Sequence, residues 1–367
     1  MDDDEPQMKV SDNTEINDVR NSAQFKGITL SNFKKTDVRK QLILNMQKER
    51  IEPACYWGAE LICSGHYGEL WETILHYVGK HIHLGNPKII PYLEKRYNVF
   101  RNIMSGGQYT NELQLRNHPV IRNLFAEVIA ILALSNKKNS IEPVKINRIE
   151  EFDITLLSEK LIAPHMKYIE PVFKKDDPKE LFIAANELAY NISKDKKNML
   201  NACYWIEWIL DFETICKRRK MPCLCESRNI PTENKFRMDT IWLIWDILFH
   251  YTGELDKPFI EQLMQSLYSL FCIKYTTAAC KRRRHLLYFA VSLLTEHVAT
   301  DVPITADKNV VQNVINHINL IYKQIKKNEE SPNTDYLFAN LEKENAFEQS
   351  MRKMEMVNNM DFMSRSG

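Results

Sequence analysis

The tetrapeptide Ala-Cys-Tyr-Trp occurs twice in this chain, at residues 54–57 and at residues 202–205. Two of its four letters, Cys and Trp, are rare residues, so chance explains the repetition poorly. The match continues beyond the tetrapeptide, because residues 70–79 align with residues 244–253 and end on the same His-Tyr-x-Gly pattern. The sequence therefore predicts an internal duplication, which limits the fold to two related units and argues against a single catalytic centre.

Each copy is predicted to be helical. The 367 residues include only ten Gly, and the apolar residues recur at three- and four-residue spacing, which is the period of a helix face. A β-rich or Gly-loop-rich enzyme would show neither property. We expect an all-α protein, formed by tandem duplication of a roughly five-helix bundle, with a disordered N-terminus and a partly helical C-terminal tail.

Composition and periodicity also place the boundaries. The first 30 residues are polar and acidic, which is typical of disorder, and a polar segment with Pro143 separates the two copies. A clean amphipathic stripe follows copy 2, and the last segment is polar and Met-rich, which suits either a frayed terminus or a partner-binding segment. The predicted divisions are tail 1–30, copy 1 31–140, linker region 141–178, copy 2 179–300, amphipathic helix 301–328 and Met-rich tail 329–367.

Charge and cysteine usage indicate the compartment. The 49 basic and 48 acidic residues nearly cancel, so the whole chain has no strong electrostatic preference for nucleic acid, although local patches remain open. Eight Cys without an apolar leader predict reduced thiols. The apolar runs are shorter than the roughly 20 residues that cross a bilayer. We expect a soluble, intracellular protein that does not use a membrane.

The repeated aromatic residues have two interpretations. Trp57 matches Trp205, and Trp71 matches Trp245. An aromatic stripe at helical spacing usually faces a core, so we expect these four Trp to be structural core residues. The alternative is a platform on which nucleobases stack, which would require exposed rings. His76 also recurs in copy 2, which favours a structural hydrogen bond over a catalytic base.

Copy 2 carries an insertion that holds the candidate metal ligands. Its two matched Trp are 40 positions apart, against 14 in copy 1, so copy 2 has 26 additional residues. This segment contains Cys216, Cys223 and Cys225. Neighbouring cations would lower the thiol pKa and favour zinc binding with a fourth ligand from elsewhere. The spacing departs from the paired C-x2-C of zinc signatures, so the alternative is a loop of free thiols and no cofactor.

Two basic runs are the candidate phosphate-binding residues. They could contact the backbone of a nucleic acid or act as a nuclear localisation signal, and the alternative is a solvated helix end. The first run lies in the insertion and the second directly follows Cys280. The candidates are Lys217, Arg218, Arg219 and Lys220 in the first run, and Lys281, Arg282, Arg283 and Arg284 in the second.

Nothing in the sequence matches a common catalytic motif. The chain lacks G-x-x-x-x-G-K-[ST], G-x-G-x-x-G, G-x-S-x-G and H-E-x-x-H. Phosphate loops, nucleophile elbows and zincin helices each need one of these patterns. We therefore predict a protein that is not an enzyme, with a metal-dependent enzyme using the Cys loop as the weaker alternative.

One segment of copy 1 resembles the C-terminal helical region of the MgsA/RarA group of clamp-loader-like ATPases. There a Tyr-Trp helix precedes a segment of the form E-D-I-G-L-A-[DN]-P, and the corresponding segment here is residues 80–87. This segment departs from the pattern at Lys80, His81, His83 and Gly85. The resemblance covers about 40 residues and implies oligomerisation, without the ATPase module or its activity. The residues that match are Ile82, Leu84, Asn86 and Pro87.

The second half resembles an uncharacterised helical protein family of nucleocytoplasmic large DNA viruses. The resemblance implies a viral origin and a location in the host cytoplasm, the viral factory, the nucleus or the virion, but it supplies no activity. It rests on Ala163-Pro164, Ile169-Glu170-Pro171, Pro178-Lys179-Glu180-Leu181, residues 202–208 and the loop of Cys223 and Cys225.

These observations lead to one functional prediction and one rival. We predict a non-enzymatic helical interaction module associated with viral DNA replication, repair or packaging. Its partners would be proteins, nucleic-acid phosphates and other copies of the chain. The rival is a structural virion or assembly protein that does not bind nucleic acid.

Overall fold

The chain is helical throughout the part that the structure describes. The computed structural model describes residues 14–107, 109, 111–147, 152, 157–221, 223–330 and 351. Within these residues there are twelve α-helices and no β-strand, apart from two isolated bridges near the start. The all-α prediction is confirmed.

The first five helices correspond to copy 1. Helix α3 continues without a break into a π-helical turn, Val78–Ile82, and a 3-10 turn, His83–Gly85. A further 3-10 turn, Glu112–Asn117, precedes α5. The helices are α1 Lys35–Gln47, α2 Ile51–Cys63, α3 Tyr67–Tyr77, α4 Ile89–Ser105 and α5 Pro119–Leu134.

Six helices correspond to copy 2, and one follows it. Copy 2 contains the short helix α10 at the place where copy 1 has its last 3-10 turn. The order of helices agrees with two related units, and their origin by duplication stays a prediction. The helices are α6 Phe182–Ile192, α7 Met199–Arg218, α8 Ile241–Gly253, α9 Pro258–Phe271, α10 Thr277–Arg282, α11 Arg284–Thr295 and α12 Lys308–Lys326.

Local side chains fix several helix starts. The Thr276 hydroxyl accepts the Ala279 N–H at 3.1 Å at the start of α10. The Asp307 carboxylate accepts the backbone N–H groups of Asn309 and Val310 at 2.9 and 3.1 Å at the start of α12. These bonds satisfy N–H groups that a helix cannot pair internally, so both helices begin at defined positions.

The helices differ in how completely they are buried. In α5, eleven of 16 residues are buried, whereas α12 buries only five of 19, all on one face. A helix that is apolar on all sides lies inside the molecule, and a one-sided helix covers the outside of a core. None of the described helices is both long and apolar enough to span a membrane.

Contacts at several places join the two halves. Helix α11 packs on the π-helical turn and α3, and α9 packs on α4, where the Ser266 hydroxyl donates to Glu94 at 2.7 Å. The buried Asn86 side chain donates to the Pro303 and Ile304 carbonyls at 3.0 and 3.2 Å. Helix α12 follows copy 2 in the chain but packs on α2 and α5 of copy 1. One continuous core therefore runs through both halves.

The start of the described chain is ordered, contrary to part of the prediction for residues 1–30. Ile16, Phe25 and Leu30 are buried in the core, and the Val19 N–H donates to the Glu330 carbonyl at 3.2 Å. These apolar residues are too widely spaced to form a helical pattern, so the sequence did not reveal their burial. The prediction is wrong for residues 14–30, while residues 1–13 and most of the predicted Met-rich tail lie outside the described residues.

The predicted core Trp residues are buried in three of four cases. Trp71, Trp205 and Trp245 are nearly inaccessible, which confirms the structural interpretation for them and excludes their use as exposed stacking platforms. Trp57 is only half-buried and packs at the edge of the core beside Phe33 and Tyr56, at ring distances of 5.2 Å. The two copies therefore differ at this matched position.

Candidate nucleic-acid interface

The first basic run lies at the end of α7. Lys217 donates to Glu213 at 3.0 Å and has Asp239 3.9 Å away, so its charge is largely balanced. Arg218, Arg219 and Lys220 are exposed, and none of the three forms an ion pair within the described part of the chain. These three cations are available for an external anion.

The second run reaches the first through a single contact. Lys281, at the end of α10, is exposed and donates to the Thr214 hydroxyl at 3.3 Å. Thr214 lies on α7, one turn before Lys217, so Lys281 lies beside the end of α7 that carries the first run. The sequence could not predict this convergence, because the runs are about 60 positions apart and only tertiary packing joins them.

Arg283 belongs to the interior and not to the interface. Its side chain is only 4% exposed, and its guanidinium donates to the Phe271 and Ile273 carbonyls, both at 2.6 Å, and to the Glu72 carboxylate. Three of its five N–H groups are used in this way, and the Nε–H has no acceptor among the described residues. Arg283 is therefore absent from the exposed basic surface, although it lines a neighbouring cavity, and its phosphate contact stays a prediction.

The other two arginines of the second run remain at the surface. Arg284 is partly exposed and forms an ion pair with Glu207 at 3.3 Å. Arg282 is half exposed, and its nearest carboxylate oxygen, on Glu72, is 3.7 Å away. Arg282 is therefore the less committed of the two, since Glu72 is already bonded to the buried Arg283.

A cleft lies beside this basic surface, between α1 and α3 of the first half and α10 and α11 of the second. It consists of two adjoining cavities of about 430 Å³ and 530 Å³ that share Arg39, Glu72 and Arg282. We call the smaller one the basic cavity and the larger one the aromatic cavity. Lys40, Lys281 and Arg284 also line the basic cavity, and the aromatic cavity is lined by Tyr67, Trp71, Tyr97 and Phe100 among others.

Two histidines line the basic cavity, and sequence reasoning singled out only one of them. The rings of His76 and His285 meet edge to face at 4.9 Å. Burial lowers the pKa of both imidazoles, and the added effect of His76 and Lys80 lowers the pKa of His285 to about 3. Both rings are therefore neutral at neutral pH. The matched His250 instead faces Glu254 at 3.2 Å, so the expectation of one shared structural bond is wrong.

The cysteine loop does not form the expected electropositive thiol site. Cys216, Cys223 and Cys225 are all buried, and burial raises the pKa of each thiol, that of Cys223 to about 12. The expectation that nearby cations lower these values is wrong in its net effect, because burial outweighs the lowering that Arg219 exerts on the Cys216 thiol. Among the described side chains no group of three or more His, Cys, Asp or Glu is placed to hold a metal ion. Zinc binding stays a prediction.

A buried ion pair, which no sequence pattern indicates, anchors the insertion. Arg228 donates to both carboxylate oxygens of Asp177, at 3.0 and 2.8 Å, and also to Asp246 on α8. Burial alone would raise the pKa of the Asp177 carboxyl, but the bonds from Arg228 hold it below its ordinary value. The partners lie about 50 positions apart, so no local pattern marks them. The insertion is therefore a packed part of the fold.

Comparison with known proteins returns no match: no protein-family model, no curated protein and no solved structure is similar to this chain at a significant level.

Proposed function

We propose that this protein is a non-enzymatic interaction module that binds nucleic-acid phosphates through the face where its two basic runs meet. The observation that carries the proposal is the Lys281–Thr214 contact, which brings the second run onto α7 beside the first. Arg218, Arg219, Lys220, Lys281 and Arg282 then form one cationic surface, which we call the basic face. A role near viral DNA replication, repair or packaging extends this proposal from the sequence resemblance.

The charge distribution supports binding without base recognition. The cations of the basic face come from helix ends and a loop, and the described chain has no exposed helix of contiguous basic residues that would enter a major groove. Contacts of this kind go to the phosphate backbone and position a protein without reading sequence. Affinity should then depend steeply on salt, because each phosphate contact releases counterions.

A salt titration of binding tests the proposal. We expect the chain to bind a fluorescent DNA of about 20 base pairs at low salt. The logarithm of the association constant should fall linearly with the logarithm of the salt concentration, with a slope of roughly −0.9 per contacted phosphate. The triple variant R218A/R219A/K281A should bind weakly and flatten the slope by about three, since each lost lysine or arginine removes about one. Fluorescence anisotropy measures the affinity and the salt slope. The titration runs from about 25 to about 250 mM salt, roughly the range over which such contacts are screened.

The matched control is K308A/K323A/K327A, which removes the same charge from the exposed side of α12 and the residue just after it. It should leave both the affinity and the slope close to those of the parent chain. If the parent does not bind at low salt, or if both triple variants lose affinity equally, the proposal is wrong. Absence of binding would favour the rival, a structural or assembly protein without a nucleic-acid role.

A further inference from the structure

The basic cavity holds more cationic side chains than the protein itself neutralises. Five cations line it, and Glu72 is the only carboxylate that the described residues contribute to its wall. Glu72 is bonded to the buried Arg283, which lies outside this cavity's wall. The five cations are Arg39, Lys40, Lys281, Arg282 and Arg284.

Two of these cations are already paired from outside the cavity. Arg39 donates to Glu69 at 2.9 Å, and Arg284 lies 3.3 Å from Glu207. Among the described residues, the polar contact of Lys281 is with the neutral Thr214 hydroxyl. That of Lys40 is with the largely exposed Asp37 at 3.9 Å, a distance at which solvent screening leaves little attraction. Lys40, Lys281 and Arg282 are thus left to face one cavity, and an anion with two charges would balance most of that excess.

The histidine pair suits the same ligand. His285 is 4% exposed, and neither of its ring nitrogens meets hydrogen-bond geometry with a protein atom, although the Ile141 carbonyl lies close by. A neutral imidazole carries one N–H donor and no charge. His76, in edge contact with it, has no hydrogen bond to any described residue. The wall therefore provides a neutral donor beside the cations, an arrangement that would bind oxygen atoms of an anion.

Size and neighbourhood define the rest of the ligand. A volume of about 430 Å³ exceeds what a single phosphate group needs, since one water takes about 30 Å³ of liquid. The adjoining aromatic cavity of about 530 Å³ shares Arg39 and Arg282 with it and is lined by the half-buried ring of Tyr97. Aromatic and guanidinium surfaces stack on nucleobases without regard to sequence.

We propose that the cleft binds a nucleotide bearing a phosphate monoester, with its dianionic phosphate in the basic cavity and its nucleoside in the aromatic cavity. The ligand is either the terminal nucleotide of a strand or a free mononucleotide, and the first source rests on the proposed function. An internal phosphodiester carries one charge, so it balances the three cations of the basic cavity less well than the dianionic phosphate of a strand end does.

Oligonucleotides that differ only at their ends test this inference. We would compare three single-stranded 12-mers of one sequence, with a 5′-phosphate, a 3′-phosphate or two hydroxyl ends, together with free AMP and inorganic phosphate. We expect one phosphorylated end to bind about tenfold more tightly than the hydroxyl form, since a tenfold gain needs only one or two charge-assisted bonds. Isothermal titration calorimetry with the full chain measures each affinity.

A pair of variants assigns the preference to the basic cavity. Lys40 and Arg282 are 80% and 50% exposed in their side chains, so K40A/R282A should fold normally. In K40A/R282A the affinities for the phosphorylated and hydroxyl 12-mers should become equal, whereas the control K308A/K323A should keep the parent's ratio of affinities. Equal affinity for all three 12-mers in the parent, or an unchanged ratio in K40A/R282A, would overturn the inference.

The outcomes also separate this inference from the proposed function. Binding of all 12-mers without an end preference would sustain the basic face and reject the nucleotide cleft. Binding of AMP without binding of any 12-mer would support the cleft as a mononucleotide site and reject the nucleic-acid proposal. If neither AMP, phosphate nor any oligonucleotide binds, both proposals are wrong.

Discussion

Gly79 shows how one residue can be required by a contact far away in the sequence. It lies in the π-helical turn, and a Cβ atom added there would meet the His285 carbonyl carbon and oxygen at 2.8 and 2.9 Å. Those are backbone atoms of α11, which cannot rotate away as a side chain can. We predict that Gly79→Ala lowers the free energy of unfolding by about 1–3 kcal/mol, the usual cost of forcing atoms into a packed contact. Urea denaturation followed by circular dichroism measures it.

The matched residue of copy 2 is the control for this prediction. Gly253 ends α8, has an ordinary helical backbone, and an added Cβ would meet nothing within 4 Å. Gly253→Ala should therefore be neutral or stabilise the protein by up to about 1 kcal/mol, because Ala restricts the unfolded chain. Equal destabilisation by the two substitutions would show that α11 does not press on the π-helical turn.

His285 gives a pH dependence with a defined sign. Its pKa is lowered to about 3 by burial and by His76, Lys80 and Arg284, so the unfolded chain takes up a proton more readily than the folded one. The contribution of neutral His285 to the free energy of unfolding is fully present above about pH 6.5, the pKa of a His in an unfolded chain. It is lost as the pH falls from there toward 3. We predict that between pH 7.5 and pH 5 this one group lowers the free energy of unfolding by about 2 kcal/mol.

The difference between two proteins isolates that effect from other titrating groups. His285→Phe keeps a ring at this position and removes the proton site, so its unfolding free energy should fall less than that of the parent chain over the same pH interval. Urea denaturation at both pH values gives the comparison. A parallel loss in both proteins would mean that His285 is accessible to protons in the folded state.

At the scale of the element, α12 marks the limit of what periodicity can predict. Val310, Val314, Ile318, Ile321 and Ile325 recur on one face, and the predicted amphipathic helix is confirmed at Lys308–Lys326. The same pattern could not say which surface the helix covers, because an apolar face fits any apolar groove. It covers α2 and α5, helices that end 245 and 174 positions before α12 begins.

Tyr322 and Leu320 test the packing of α12 within a single turn. The Tyr322 ring is 1% exposed and lies 3.9 Å from the guanidinium carbon of Arg122 on α5, whereas Leu320 is 60% exposed. Tyr322→Ala should lower the free energy of unfolding by about 3–5 kcal/mol through the cavity that it leaves. Leu320→Ala should change it by no more than about 0.5 kcal/mol.

Chemical denaturation of both α12 variants measures this difference. A small effect of Tyr322→Ala would contradict the packing of α12 on copy 1, since a buried aromatic residue cannot be removed without cost in a well-packed core. The exposed Leu320 on the same helix controls for any change in helix propensity, because both substitutions introduce Ala.

At the scale of the whole molecule, the two halves are expected to unfold together. Helix α11 presses on the π-helical turn, α12 covers the first half, and Asn86 holds the segment before α12. We predict one urea transition in which Trp fluorescence and far-ultraviolet circular dichroism coincide, and in which Gly79→Ala moves both curves equally. Two separate steps, or a shift in only one signal, would show that the halves unfold independently.

Sequence patterns predicted what repeats locally and missed what depends on distant contacts. The helices of both copies, the burial of Trp71, Trp205 and Trp245, and the α12 stripe follow from residue type and a period of 3.6. The interior position of Arg283 does not, because its neighbours in the run are exposed and its acceptors lie on other elements. The cleft is likewise invisible in the sequence, since its walls come from both halves.

The position of α12 has a consequence for how the chain is made. A ribosome completes α2 and α5 long before it adds the helix that covers them. Until then their apolar surface has no partner within the nascent polypeptide, and exposed surface of that kind invites aggregation. Synthesis of this protein should therefore depend on chaperones more than two separate small bundles would, and the first half cannot complete its packing until α12 has left the exit tunnel.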